Sequence, residues 1–161
     1  MKENQFILGV IVSNQFGVLT RVSGLFSRRG FNIDSLNVGE TEDERFSRMT
    51  IIVRGDDYVK SQIIHQLEKL IDVKSVELLE PDKIVLREHM LIKISTADSG
   101  VIDAINARHT KIVDYGADSV IAEVVGEPSD LDAFIEFARP YGILEICRAG
   151  ALALVAVKTN V

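Results

Sequence analysis

The sequence predicts an α+β fold of two tandem ferredoxin-like units, each βαββαβ. Apolar residues switch between the period of a strand and that of a helix in the order strand, helix, strand, strand, helix, strand, and the order begins again after Pro81-Asp82. A length of 161 residues, 47% apolar and 26% charged, suits two small globular domains rather than a disordered chain. The expected domains are residues 1–80 and 81–161. No residue-level identity links the halves, so the repeat is one of architecture. Domains this small bury only roughly 60% of their unfolded surface, so each should lean on the other or on a second copy of the chain.

Phe6–Val12 is a continuous apolar run, the pattern of a strand buried on both faces. Val18, Leu19, Val22, Leu25 and Phe26 follow at helical spacing, and Gly30 stands just past the helix end. A second strand opens at Asn32-Ile33, with Leu36 and Val38 alternating with polar neighbours, and Gly39–Ser47 reads as a polar, acid-rich loop. Met49, Ile51 and Val53 alternate as a strand with one face buried. Asp56-Asp57 caps a helix whose inward set is Val59, Ile63, Ile64, Leu67, Leu70 and Ile71, and Val76 and Leu78 close the unit. In the second half, Met90, Ile92 and Ile94 form a strand and Val101–His109 a weak helix. Ile112–Tyr115 and Val120–Val125 form a hairpin around Gly116-Ala117-Asp118. Ser129 caps a helix to Arg139, with Leu131, Phe134, Ile135 and Ala138 inward, and Ile143–Cys147 and Leu152–Val157 are strands.

Much chemistry is excluded. The longest apolar runs, Phe6–Val12 and Ala149–Val157, are too short to span a membrane, and no charged-then-apolar leader precedes them. A single cysteine, Cys147, rules out an intramolecular disulfide and fits a reducing cytoplasm; in an apolar strand it is expected to be an inert buried thiol. Net charge is −6, and the densest basic cluster, Arg28-Arg29, sits where cations complement a helix C-terminus, so nucleic acid is not an expected partner. There is no G-x-G-x-x-G, no phosphate-loop motif and no G-x-S-x-G elbow. His65, His89 and His109 lack partners at ligand spacing, and His65 is read as structural. Glu40–Glu44 lacks the pattern that folds around calcium and reads as a solvated loop. Neither a catalytic residue nor a metal or cofactor site is expected in the chain.

The informative stretch is VIVSNQFGVLTRVSGLFSRRGFNIDSL, Val10–Leu36. A strand runs through the short turn Ser13-Asn14-Gln15-Phe16-Gly17 directly into a helix. Such a turn leaves backbone N–H groups unpaired at the positive end of the helix dipole, where a carboxylate sits well. Nothing nearby can attack, reduce or hydrolyse what binds. The strand opened by Asn32-Ile33 is a candidate sheet edge, and an edge invites pairing with a second copy. A pocket would then form between the turn of one subunit and the strand of the other.

These residues, with SRMTIIV (Ser47–Val53), closely resemble the regulatory, or small, subunit of acetolactate synthase, also called acetohydroxyacid synthase. The likeness continues through Gln66–Val73, through Arg87-Glu88 and Met90–Ile94, and through Leu131-Asp132-Ala133-Phe134 to Arg148-Ala149-Gly150; it is looser in the second half and shortened around Ala97–Ala104. The resemblance implies an N-terminal ACT domain that forms a homodimer and binds a branched-chain amino acid, typically valine, at the dimer interface. The family's ligand-contacting positions fall on Asn14, Gly17, Val18 and Leu19 of one subunit and on Asn32 and Ile33 of the other. The residue types suit this: Gly17 lets a carboxylate approach the backbone, Asn14 and Asn32 each offer a donor and an acceptor, and Leu19 and Ile33 would line a pocket for the branched side chain. The resemblance further implies a separate catalytic subunit holding thiamine diphosphate, Mg²⁺ and FAD, which this chain activates and subjects to feedback inhibition. The SRMT strand and its acidic loop are a candidate surface for that partner. Two alternatives differ in class. A stand-alone ACT-type amino-acid sensor acting on another enzyme or a transcription regulator would be favoured by a basic helix pair, and there is none. An acylphosphatase-like hydrolase needs an Arg in the Ser13–Gly17 loop, which has neither Arg nor Lys.

Overall fold

The computed structural model describes residues 4–96, 100–108 and 110–157. The chain divides into two compact units, residues 1–86 with 150–161, and residues 87–149. The first unit thus extends past residue 80 and also contains the last strand.

In the first unit the strands are β1 (Gln5–Ser13), β2 (Ile33–Glu40), β3 (Phe46–Arg54) and β4 (Val73–Leu79), with helices α1 (Val18–Arg28) and α2 (Asp57–Glu68). The sheet is antiparallel in the order β2-β3-β1-β4, which leaves β2 and β4 at its edges. Val18, Val22, Leu25 and Phe26 of α1 and Ile63 and Leu67 of α2 meet Leu8, Val10, Val12, Met49, Ile51 and Val53 of the sheet in one core. Helix α1 ends as Gly30 suggests: the Gly30 N–H donates to the Ser27 carbonyl (3.1 Å) and the Phe31 N–H to the Phe26 carbonyl (3.0 Å), the paired bonds of a Schellman end. Asp56 caps α2, accepting from the Val59 N–H at 2.8 Å. Ile71 is not in the core. It lies beyond the end of α2 and is 97% exposed.

Strand β3 is buried on both faces, not one. The strand β9 (Leu152–Val155) provides the second cover: Ala151 and Ala153 pack on Ile7, Ile52 and Leu79 of the outer sheet face, with Ile84 and Leu86 beside them. Leu79, not Leu78, is therefore the buried residue at the end of β4. Gly150 anchors this segment on β2. A Cβ there would run into the Leu36 carbonyl, so only glycine allows the approach. Around it the Asn37 amide donates to the Gly150 carbonyl (3.2 Å) and the Ala151 N–H to Ser35 Oγ (3.1 Å).

The second unit contains β5 (Ile84–Ser95, entering from the first unit), α3 (Val101–Asn106), β6 (Lys111–Tyr115), β7 (Ser119–Gly126), α4 (Pro128–Ala138) and β8 (Ile143–Arg148), with sheet order β6-β7-β5-β8. Met90, Ile92 and Ile94 meet Val101, Ile105, Val120, Ala122, Leu131 and Phe134 in its core. His109, expected in the first helix of this unit, lies outside the described residues, as do residues 97–99 of the shortened stretch. Helix α4 is capped by Glu127 rather than Ser129: Pro128 occupies the first helical position, and Glu127 and Asp130 bond each other's backbone N–H in a capping box. Cys147 is exposed, because β8 is an edge strand with most of its residues open to solvent.

Candidate functional site

The turn between β1 and α1 forms one wall of a cavity of about 300 Å³. Its floor is Val12, Val18 and Met49 with the buried Ser47, and Leu19 and Val38 stand at the sides; its polar rim is Ser13, Asn14, Gln15, Gly39 and Glu40. It lies where the N-terminus of α1 meets the ends of β1, β2 and β3.

The local sequence builds this geometry. Gly17 is the N-cap of α1 with φ +80°, a left-handed conformation that glycine adopts without strain. The first intrahelical bond runs from the Arg21 N–H to the Gly17 carbonyl (2.9 Å), and the Val18 N–H reaches back to the Gln15 carbonyl (3.3 Å). The N–H groups of Leu19 and Thr20 thus precede any helical acceptor and face outward at the positive end of the dipole. No acidic residue occupies this first turn. A Cβ on Gly17 would come within 3.1 Å of the Arg21 guanidinium, whose Nε is paired with Asp72 at 2.6 Å. The turn therefore presents helix N–H groups to an anion, with the Arg21 guanidinium beside it already paired with Asp72.

The acid-rich loop is ordered by Asn14. The Asn14 N–H donates to the Arg45 carbonyl (2.8 Å), and its side-chain amide donates to Glu40 Oε1 (2.8 Å) and to the Glu44 carbonyl (2.9 Å). The loop also bonds itself: the Thr41 hydroxyl and the Phe46 N–H both donate to the Asp43 carbonyl (2.9 Å each). Hydrogen bonds from the Arg45 guanidinium and backbone N–H bring the Asp43 carboxyl down to about 2. The strands extend further than expected, β2 through Glu40 and β3 from Phe46, so the loop between them is residues 41–45.

Of the six site residues read from sequence, Asn14, Val18 and Leu19 line the cavity, whereas Gly17, the N-cap of α1, is not among its lining residues. Val18 is buried and Leu19 is 43% exposed at the mouth. Asn32 and Ile33 lie at the other end of β2, eight and seven residues before Glu40 and roughly 23–26 Å away at the rise of a strand. Asn32 is exposed and donates to Asp34 Oδ1 (3.0 Å); Ile33 packs on the core of its own unit. Hydrogen bonds from Gln5 first, and from Arg54 and Asn32, hold the Asp34 carboxyl below its ordinary value. Val12, Val38, Glu40 and Met49 are additions from the structure. The three apolar residues carry the same strand signal as any core residue, and Glu40 reads in sequence as the first acid of a solvated loop. Among the described residues no cluster of three His, Cys, Asp or Glu side chains is placed to hold a metal ion.

Comparison with known proteins identifies this architecture. Residues 8–75 match the model of the acetohydroxyacid synthase small-subunit-like ACT domain, and residues 87–156 match that of the small subunit of acetolactate synthase. The chain belongs to the acetolactate synthase small-subunit family. It is 44% identical over 158 residues to the probable acetolactate synthase small subunit of Methanothermobacter thermautotrophicus, covering 96% of this chain and 94% of that one. It is 45% identical over 150 residues to the acetolactate synthase small subunit of Mycolicibacterium smegmatis, covering 91% and 88% of the two chains. The crystal structure of the acetolactate synthase small subunit from Thermotoga maritima superposes with a TM-score of 0.89 at 34% identity, over 96% of this chain and 99% of that one. The cavity thus lies within the ACT part of a small-subunit chain.

Proposed function

We propose that this chain is the non-catalytic regulatory subunit of a cytoplasmic acetolactate synthase. It raises the activity of a separate catalytic subunit and transmits feedback inhibition by a branched-chain amino acid, valine in the first instance. Thiamine diphosphate, Mg²⁺ and FAD belong to the catalytic partner. The observation that carries this reading is the cavity itself: unpaired helix N–H groups for a carboxylate, acceptors at Asn14 and Glu40, and a floor of Val12, Val18 and Met49 for an aliphatic side chain.

A homodimer completes the site in this reading. Strand β2 is an edge strand, and Phe16, Leu19 and Val38 expose apolar surface near its cavity end. Antiparallel pairing of two β2 strands about a two-fold axis sets the Ile33 end of one against the Glu40 end of the other. The partner's copies of Asn32 and Ile33 would then reach the cavity that they cannot reach in their own chain. Valine shifts the holoenzyme toward an inhibited state only by the difference in its affinity for the two arrangements. The test is reconstitution. Adding this chain to the catalytic subunit of the same organism should raise acetolactate production, and valine should lower it again. No change in either step would refute the reading.

A further inference from the structure

We propose that Glu40 is the ammonium-recognising group of the cavity, and that it makes the site select α-amino acids over 2-oxo acids of the same carbon skeleton. The proposal rests on the cavity being an amino-acid site. Glu40 closes β2 opposite Ser47 and stands on the cavity rim. Its carboxylate is held by the Asn14 amide at 2.8 Å, and the same amide donates to the Glu44 carbonyl at 2.9 Å. Both partners are acceptors, so the amide must turn its NH₂ toward them, and its two donor hydrogens are used. What Asn14 offers a ligand is its oxygen.

The rim beside the turn therefore presents two acceptors, a carboxylate and an amide oxygen, while α1 presents donors. An α-amino acid matches this pair of surfaces, with its carboxylate on the helix N–H groups and its ammonium on Glu40 and Asn14 Oδ1. In a 2-oxo acid the ammonium is replaced by a carbonyl oxygen, which sets acceptor against acceptor. The carboxylate and the aliphatic chain are the same in both ligands, so Val12, Val18, Met49 and the helix end cannot tell them apart. Discrimination falls to the two acceptors, and the charged one, Glu40, carries most of it.

The test is calorimetric titration of the full chain with L-valine and with 3-methyl-2-oxobutanoate, for the wild type, Glu40→Gln and Glu40→Asp. Glutamine keeps the shape and can still accept from Asn14 but carries no charge; aspartate keeps the charge and withdraws it by one methylene. The wild type should bind valine at least ~10-fold more tightly than the oxo acid. Glu40→Gln should lose about 10-fold for valine with its oxo-acid affinity within about 2-fold of wild type, and Glu40→Asp should fall between. A wild type that binds both ligands equally, or folded variants that keep its valine affinity and selectivity, would overturn the proposal and leave the amino-acid site standing. A wild type that binds neither ligand would overturn the site and the proposal together.

Discussion

Removing residues 150–161 should destabilise the ACT unit although the deletion lies far along the chain from its helices. Ile7 and Leu79 are 0% and 2% exposed and Ile52 is 6% exposed, and Ala151 and Ala153 are their outer cover. Full burial of such a side chain stabilises by ~1.5–3 kcal/mol. Ile84 and Leu86 still pack beside them when β9 is gone, so if about half of the summed burial is lost, baring the three costs ~2–4 kcal/mol. That is a large part of the ~5–15 kcal/mol that holds a domain together. In urea, at an m value of ~1–2 kcal/mol/M, the midpoint of the ACT transition should fall by about 2 M. Far-UV circular dichroism at fixed protein concentration measures this, and Gly150→Val, which forces the segment off Leu36, should move the midpoint the same way. A truncated chain with the wild-type midpoint would show that β9 contributes nothing and that the outer sheet face is stable bare.

Other expectations follow from the same structure. If the cavity is completed by a second copy, binding and dimerisation are linked, so valine should raise the apparent dimer stability in sedimentation; valine affinity unchanged on dilution to monomer would exclude an interface site. The Asp34 carboxylate, held low by Gln5, Arg54 and Asn32, stabilises the fold fully above its unfolded value near 3.8 and loses that contribution as pH falls through its lower folded value. Asp34→Asn should therefore narrow the drop in unfolding temperature between pH 6 and pH 3; an unchanged drop would remove Asp34 as its source. The purified chain alone should form no acetolactate from pyruvate, and turnover well above a buffer blank would contradict a purely regulatory role.

The order of elements is legible in the sequence because each strand and helix carries its own period, and the turn signals at Asn14–Gly17, Gly30 and Asp56 appear in the structure as an N-cap, a Schellman end and a side-chain cap. What is illegible is whatever depends on residues distant in sequence. The second cover on β3 comes from Ala151 and Ala153, about a hundred residues later, and two alanines give no sign of which sheet they cover. Pro128 displaces the cap of α4 from Ser129 to Glu127, a clash visible in sequence only once the helix start is fixed. Cys147 looks buried because its neighbours are apolar, yet strand β8 lies at an edge, and edge position is a property of the sheet. The site divides in the same way. Asn14, Val18 and Leu19 are local to one turn and read directly, whereas Glu40 joins them only through a hydrogen bond spanning 26 positions.

Holoenzyme activity against valine concentration with Gly17→Asp tests the binding turn directly. Aspartate tolerates the left-handed backbone at this position better than most side chains. Its carboxylate would stand beside the α1 N-terminus where the ligand's carboxylate belongs. Two such charges ~4 Å apart repel by about 4 kcal/mol at an effective dielectric of ~20. The Arg21 guanidinium, 3.1 Å from the added Cβ, offsets part of this. A net loss of about 2–3 kcal/mol weakens valine roughly 100-fold. The variant should still activate the catalytic subunit, with its valine inhibition curve displaced by about two orders of magnitude. Activation with an undisplaced inhibition curve would exclude the turn from valine binding and leave it with a structural role alone.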